Sequence, residues 1–148
     1  MLVAAACPLL LYSQGSQPVS VSPTARVVLK AGETVPVKVK FHLAAGYHTN
    51  SHTPSDEYLI PLRLSWEAAP LVVAGIDYPK PQMEKYAFAD KPLSVYSDSF
   101  EVTTRLLANA SVPKGPRVLK GKLRYQACTN TMCLTPKTVA VEVPIEVR

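Results

Sequence analysis

Cysteine is scarce in this chain, with only three among 148 residues: Cys7, Cys128 and Cys133. A disulfide-dense scaffold of the small secreted kind is excluded by that number. Histidine is equally sparse. Cys128, Cys133, His48 and His52 would offer a metal two sulfurs and two nitrogens, but their spacing is looser than that of the common zinc motifs. No histidine lies between Cys128 and Met132 or shortly after it, which argues against a blue-copper site. We therefore expect neither metal nor other cofactor. Aromatic residues make up 7% of the chain and are not interleaved with the basic ones, so the net charge of +5 does not read as a nucleic-acid surface. The charge suits solubility or steering toward acidic partners.

An apolar run long enough to cross a bilayer is also missing. The stretch from Leu2 to Leu11 is too short, and no charged side chain occurs in the first fifteen residues. It reads as the hydrophobic part of a secretory signal, with cleavage after Gly15, where Ser13 and Gly15 supply small side chains. Lipidation at Cys7 is the alternative, although Ala4 stands where a lipoprotein signal usually has Leu. On either reading Cys7 takes no part in the folded site. Residues 16–148 then form one domain with one core.

Within that domain, fourteen prolines and little helical periodicity point to β structure with many turns. Thr34 to His42 alternates with Val35, Val37, Val39 and Phe41 inward, and Pro36 marks an edge or a strand start. Thr138 to Val147 alternates through Val139, Val141, Val143, Ile145 and Val147. Further strands are expected over Gln17–Val21, Ala25–Lys30, Tyr58–Trp66, Leu71–Tyr78, Phe100–Asn109 and Arg117–Ala127. This pattern predicts an all-β fold, an antiparallel immunoglobulin-like β-sandwich. Two segments, Ala45–Asp56 and Tyr78–Pro92, read as loops longer than a sandwich needs. The first concentrates His48 and His52, and the second carries Tyr86 and Phe88.

Cys128 and Cys133 are separated by four residues at the tip of an expected hairpin, which makes them a disulfide in an oxidising compartment. As a staple the bridge is weak, since so short a loop restrains the unfolded chain by only roughly 2 kcal/mol. Alternation through Leu119, Leu123, Tyr125 and Ala127 on one face places Cys128 on the other, with Lys120, Lys122 and Arg124. Cations near solvent favour the thiolate, the form that attacks disulfides. We therefore read the pair as reactive. The plainer reading is a structural bridge in a non-catalytic immunoglobulin-like binding module, its cations forming a solvated face. By the same standard His48 is a surface histidine, and Tyr86 and Phe88 cover the end of the core.

Tyr125-Gln126-Ala127-Cys128, four residues, Cys133 and then Pro136, preceded by Gly46-Tyr47-His48-Thr49-Asn50 and an Ile60-Pro61 step, resembles the amino-terminal periplasmic domain of the DsbD thiol:disulfide interchange proteins. The resemblance runs from about Gln17 to Val147. It implies an immunoglobulin-like sandwich in the periplasm whose cysteine pair cycles between dithiol and disulfide. Electrons would arrive from a membrane-embedded or thioredoxin-like donor and pass to thioredoxin-fold periplasmic reductases and isomerases. Cys128 and Cys133 would be the redox pair, with Cys133 forming the mixed disulfides. Tyr47, His48 and Asn50 would line the site, His48 and Asn50 falling where some members carry tyrosines. Tyr86 and Phe88 belong to the segment matching the family's cap; it lacks an Asp-Glu-Phe sequence, so either ring is a candidate to cover the sulfurs. Apart from the resemblance, the titration range of histidine would let His48 serve as a proton relay if its loop folds over the hairpin. The chain is expected to be a monomer, either standalone or part of a longer polypeptide, with its electron donor on another chain.

Overall fold

The computed structural model describes residues 17–148. The expected signal segment, its cleavage point and Cys7 lie outside the described residues. In chain order the strands are β1 (Val19–Val21), β2 (Val27–Leu29), β3 (Thr34–Leu43), β4 (His48–Asn50), β5 (Arg63–Glu67) and β6 (Val72–Asp77). They continue with β7 (Gln82–Glu84), β8 (Leu93–Ser97), β9 (Ser99–Leu107), β10 (Gly115–Tyr125), β11 (Ala127–Cys128) and β12 (Lys137–Val147). No helix among the described residues is long and apolar enough to cross a membrane.

The architecture is an immunoglobulin-like β-sandwich. One main sheet has the order β1-β3-β9-β6 and the other β2-β12-β10-β5. All pairings between these strands are antiparallel except β2 on β12, which runs parallel and departs from the wholly antiparallel expectation. The core between the sheets is the set of residues that alternation selects. Val37, Val39 and Phe41 of β3 are fully buried, and they face Leu119, Leu123 and Tyr125 of β10 together with Val141, Val143 and Ile145 of β12. Lys120, Lys122 and Arg124 point outward between them. Pro36 lies on a stretch of β3 that pairs with β9 but extends beyond the reach of β1, so its missing N–H leaves no ladder bond unmade on the open side. Gly121 lies under the Trp66 ring; a Cβ there would come within 2.4 Å of the indole. The indole N–H in turn donates to the buried Thr104 hydroxyl at 2.9 Å, tying one sheet to the other.

The expected strand over Tyr58–Trp66 is present only as β5. Upstream, the amide of Leu59 donates to the Asp56 carbonyl in a turn, and Pro61 removes a donor just before the strand can begin. The two long loops are a larger departure. Ala45–Asp56 contains β4, whose three residues are all buried, and Tyr78–Pro92 contains β7. With β8 and β11 they build a third sheet, of order β11-β4-β8-β7, at one end of the sandwich. It extends a core ladder: β3 pairs with β9 as far as His42 and Ser99, and pairing resumes with His48 opposite Ser97. Residues 44–47 bulge out between these points opposite Asp98, with Gly46 at φ 83° and Asp98 at φ 58° supplying the left-handed backbone that the offset needs.

Candidate redox site at the end of the sandwich

Cys128 and Cys133 are joined by a disulfide, their Cα atoms 3.9 Å apart. The sequence between them folds as a tight turn. Thr129 is its organiser: its amide donates to the Met132 carbonyl at 2.7 Å, while its hydroxyl accepts from the amides of Thr131 and Met132, each at 3.3 Å. Beyond the turn, the amide of Leu134 donates to the Ala127 carbonyl at 2.8 Å and closes the hairpin.

The two sulfurs are not equivalent. Cys128 is fully buried, whereas Cys133 is half-buried at the surface. This overturns the placement of Cys128 near solvent, although it does lie on the face opposite Ala127 that alternation assigns. Alternation continues through Gln126, which belongs to neither β10 nor β11. Its side chain is held within the structure. The amide oxygen accepts from Asn50 Nδ2 at 3.0 Å and from the Ile60 amide at 3.4 Å, and the amide nitrogen donates to the Leu134 carbonyl at 3.3 Å. Ala127 joins the sandwich core, and Cys128 lies on the opposite face, where the end sheet and the segment above that sheet bury it. Gln126 was missing from the expected site. Its signal in the sequence is slight: an uncharged side chain where the three preceding outward positions, Lys120, Lys122 and Arg124, are cationic.

In the end sheet Cys128 is directly opposite His48, and His48 is opposite Ser97, so the three side chains share a face. His48 is only 3% exposed, which corrects the surface-histidine alternative. Burial lowers its pKa from 6.5 to about 4, and its Nε2 has no hydrogen-bond partner. The Tyr86 ring stacks on the imidazole, with centroids 4.0 Å apart, and Phe88 stacks in turn on Tyr86 at 5.6 Å. Burial, and secondarily the nearby Glu84, push the Tyr86 phenol up. Phe88 continues to a hollow of about 320 Å³ that it lines with Tyr58, Leu59, Leu93, Gln126 and Cys133. The segment from β7 to β8 thus covers the site with both of its aromatics. Tyr86 lies over the histidine paired with Cys128, and Phe88 lies beside the more accessible Cys133.

Asn50 joins the site through its bonds to Gln126 and to the Ile60 carbonyl. Tyr47 packs against the sandwich core. His52 is engaged elsewhere, since its Nδ1 is 2.7 Å from the Tyr96 hydroxyl and its ring stacks on Tyr78. The four-ligand set of two cysteines and two histidines does not assemble. Among the described residues no group of three or more His, Cys, Asp or Glu is arranged to hold a metal.

Comparison with known proteins fits this geometry. The model of the family described as "Thiol:disulfide interchange protein DsbD, N-terminal" matches residues 16–145. No curated protein matches the sequence. Among solved structures, the chain is similar to the N-terminal domain of DsbD from Neisseria meningitidis in its reduced form. They share 20% identity over 74% of this chain and 83% of that one, with a TM-score of 0.48. It is also similar in fold to the N-terminal periplasmic domain of ScsB from Proteus mirabilis, at 18% identity and a TM-score of 0.53. That match covers 84% of this chain and 44% of that one, so the chain spans less than half of the ScsB structure. A disulfide half open to solvent in such a fold fits thiol–disulfide exchange, and on the extent of the family match this chain belongs to the DsbD N-terminal family.

Proposed function

We propose that this domain relays electrons in the periplasm through the Cys128/Cys133 pair. The donor is a membrane-embedded or thioredoxin-like reductant, and the acceptors are thioredoxin-fold disulfide reductases and isomerases. The observation that carries the reading is the inequality of the two sulfurs. A bridge serving only as a staple gains nothing from leaving one sulfur half open beside a hollow, whereas exchange needs one sulfur to meet a partner and a second held back to resolve the mixed disulfide. Cys133 is the sulfur that meets the partner. Cys128, fixed opposite His48, is the one that resolves. Tyr86 and Phe88 shield the pair until a partner displaces the cap, and Asn50 with Gln126 holds the hairpin in place.

The test is the reduction potential of the pair, read by counting free thiols after equilibration with glutathione or dithiothreitol buffers. A value within roughly −120 to −270 mV supports relay, and one well below about −300 mV marks a structural bridge in a binding module. In parallel, Cys133→Ala should abolish exchange while the sandwich still folds, and Cys128→Ala should accumulate mixed disulfides with partners.

A further inference from the structure

The exchange reaction leaves one proton unaccounted for. The resolving sulfur must give up its hydrogen inside the protein, because Cys128 has no exposure to water. Lys120, Lys122 and Arg124, which the sequence offers as thiolate-stabilising neighbours, lie on the outer face of β10. The group that does face Cys128 is His48, its direct partner across the ladder. Residues so paired hold their Cβ atoms about 4.5–5.5 Å apart with side chains on one side of the sheet. His48 is 97% removed from solvent by the same count that leaves it 3% exposed, and its Nε2 is an orphan. A buried nitrogen without a partner is costly unless it has a use. The ring that carries it shares a face of the end sheet with the one buried sulfur that must lose a proton.

We propose that His48 Nε2 is the proton acceptor for Cys128 when the mixed disulfide is resolved. The inference rests on the exchange function proposed above. In the mixed disulfide, Cys133 Sγ is bonded to the partner's sulfur and Cys128 carries a thiol. The Cys128 S–H bond breaks, its proton passes to Nε2, and the electron pair stays on sulfur. That thiolate attacks Cys133 Sγ. The Cys128–Cys133 bond forms, the bond from Cys133 to the partner breaks, and the electron pair leaves on the partner's thiolate. The imidazolium then gives its proton to that thiolate or to water. Two electrons have left the domain and two have reduced the partner's disulfide.

The surroundings of His48 suit this role. The titratable groups facing it are Cys128 from β11 and Tyr86 from the cap, while β8 contributes the uncharged Ser97. Burial alone accounts for the low pKa of the imidazole in the disulfide state, so the ring is neutral and able to accept at neutral pH. Once Cys128 is a thiolate, an opposite charge exists within the same buried face, and the imidazolium gains the partner it lacked before. Until the cap is displaced, Tyr86 stacks on the ring and covers it.

The experiment uses the full chain with Cys7→Ser, so that Cys128 and Cys133 are the only thiols. Reduced protein is mixed with dithiobis(nitrobenzoate), which releases one coloured thiolate when Cys133 is modified and a second when Cys128 resolves the adduct. His48→Phe keeps the stack on Tyr86 and removes the nitrogen. Its second release should be about a hundredfold slower than the parent's at neutral pH, recovering as the pH approaches the ordinary thiol value near 8.5. Equal pH profiles for the second release overturn the proposal. Imidazole NMR titration of the unsubstituted His48, in oxidised and in reduced protein, gives a reading that needs neither a folded variant nor a partner. In the reduced protein the imidazole signal should respond to the alkaline step in which Cys128 ionises, a response the oxidised protein lacks, and its absence overturns the proposal. A structural-range potential would reject the relay itself, and it is a separate measurement from both of these.

Discussion

The two ends of the β3–β9 ladder make the informative comparison. Where it crosses the sandwich, every inward position of β3 is apolar, and Val37, Val39 and Phe41 are sealed without a polar atom among them. Where the ladder resumes as β4 and β8, all three residues of β4 are buried and polar, His48, Thr49 and Asn50, paired with a β8 that buries Leu93, Val95 and Tyr96. Among the described residues, four buried side-chain polar atoms lack a hydrogen-bond partner, and three of them belong to these consecutive residues. The same backbone pairing thus supports an apolar region optimised for stability and a polar one that is held at a cost. Unsatisfied buried groups of this kind cost about 1–3 kcal/mol each, so their concentration beside the disulfide is the mark of a site.

The comparison predicts first that the apolar end dominates stability. Phe41→Ala removes a ring that is fully buried and stacked on Phe100 at 5.3 Å. Urea unfolding should show a loss of about 3–5 kcal/mol. A loss as large from truncating any side chain of the cap would erase the distinction between the two ends.

Acid should strike the polar end alone. The unfolded chain takes up a proton on His48 near 6.5, and the folded chain does so only near 4. Between those values the unfolded state binds more protons, so the stability present above pH 6.5 is lost as the pH falls toward 4. The loss from this group is about 3 kcal/mol. Unfolding measured at pH 7 and pH 4 should show it in the parent and lack that share in His48→Phe.

The same contrast explains how much was legible in the sequence. Strands β3, β10 and β12 alternate strictly because one face is core and the other water, and the period of two survives in the residue types. His48-Thr49-Asn50 carries no such signature; its strand character comes from pairing with β8 and β11 and from the cap above it. The cysteine pair and the aromatic cap were readable as residue types at characteristic positions. The burial of Cys128 was not, because the face that alternation assigns to it is covered by His48 and the cap, which are distant in sequence, and the hairpin is fixed by bonds of Gln126 to Asn50, Ile60 and Leu134 that its residue type does not announce.

Gln126 is accordingly the third place to press. Gln126→Ala leaves Asn50 Nδ2 with only the Ile60 carbonyl and frees the hairpin from Leu134. About 1–3 kcal/mol of stability should be lost. Hydrogen exchange should place the loosening in residues 126–134 and spare β3 and β12. Uniform loss of protection across the sandwich would mean that the end sheet and the core unfold as one unit.

The smallest effect on stability should accompany a clear change in reactivity. Phe88 is 40% exposed and touches the fold chiefly through Tyr86 and the hollow beside Cys133, so truncation to Ala removes little buried area. Less than about 1 kcal/mol should be lost. Reduction of the disulfide by a small thiol should nevertheless accelerate, because Cys133 is left with one wall fewer. Tyr86→Ala should also open the site, but from the other side: it uncovers His48, whose burial holds its pKa low, and so should raise the imidazole titration toward 6.5 where Phe88→Ala does not. If Phe88→Ala moves the histidine titration and Tyr86→Ala leaves it in place, the two rings have been assigned to the wrong sides of the cap.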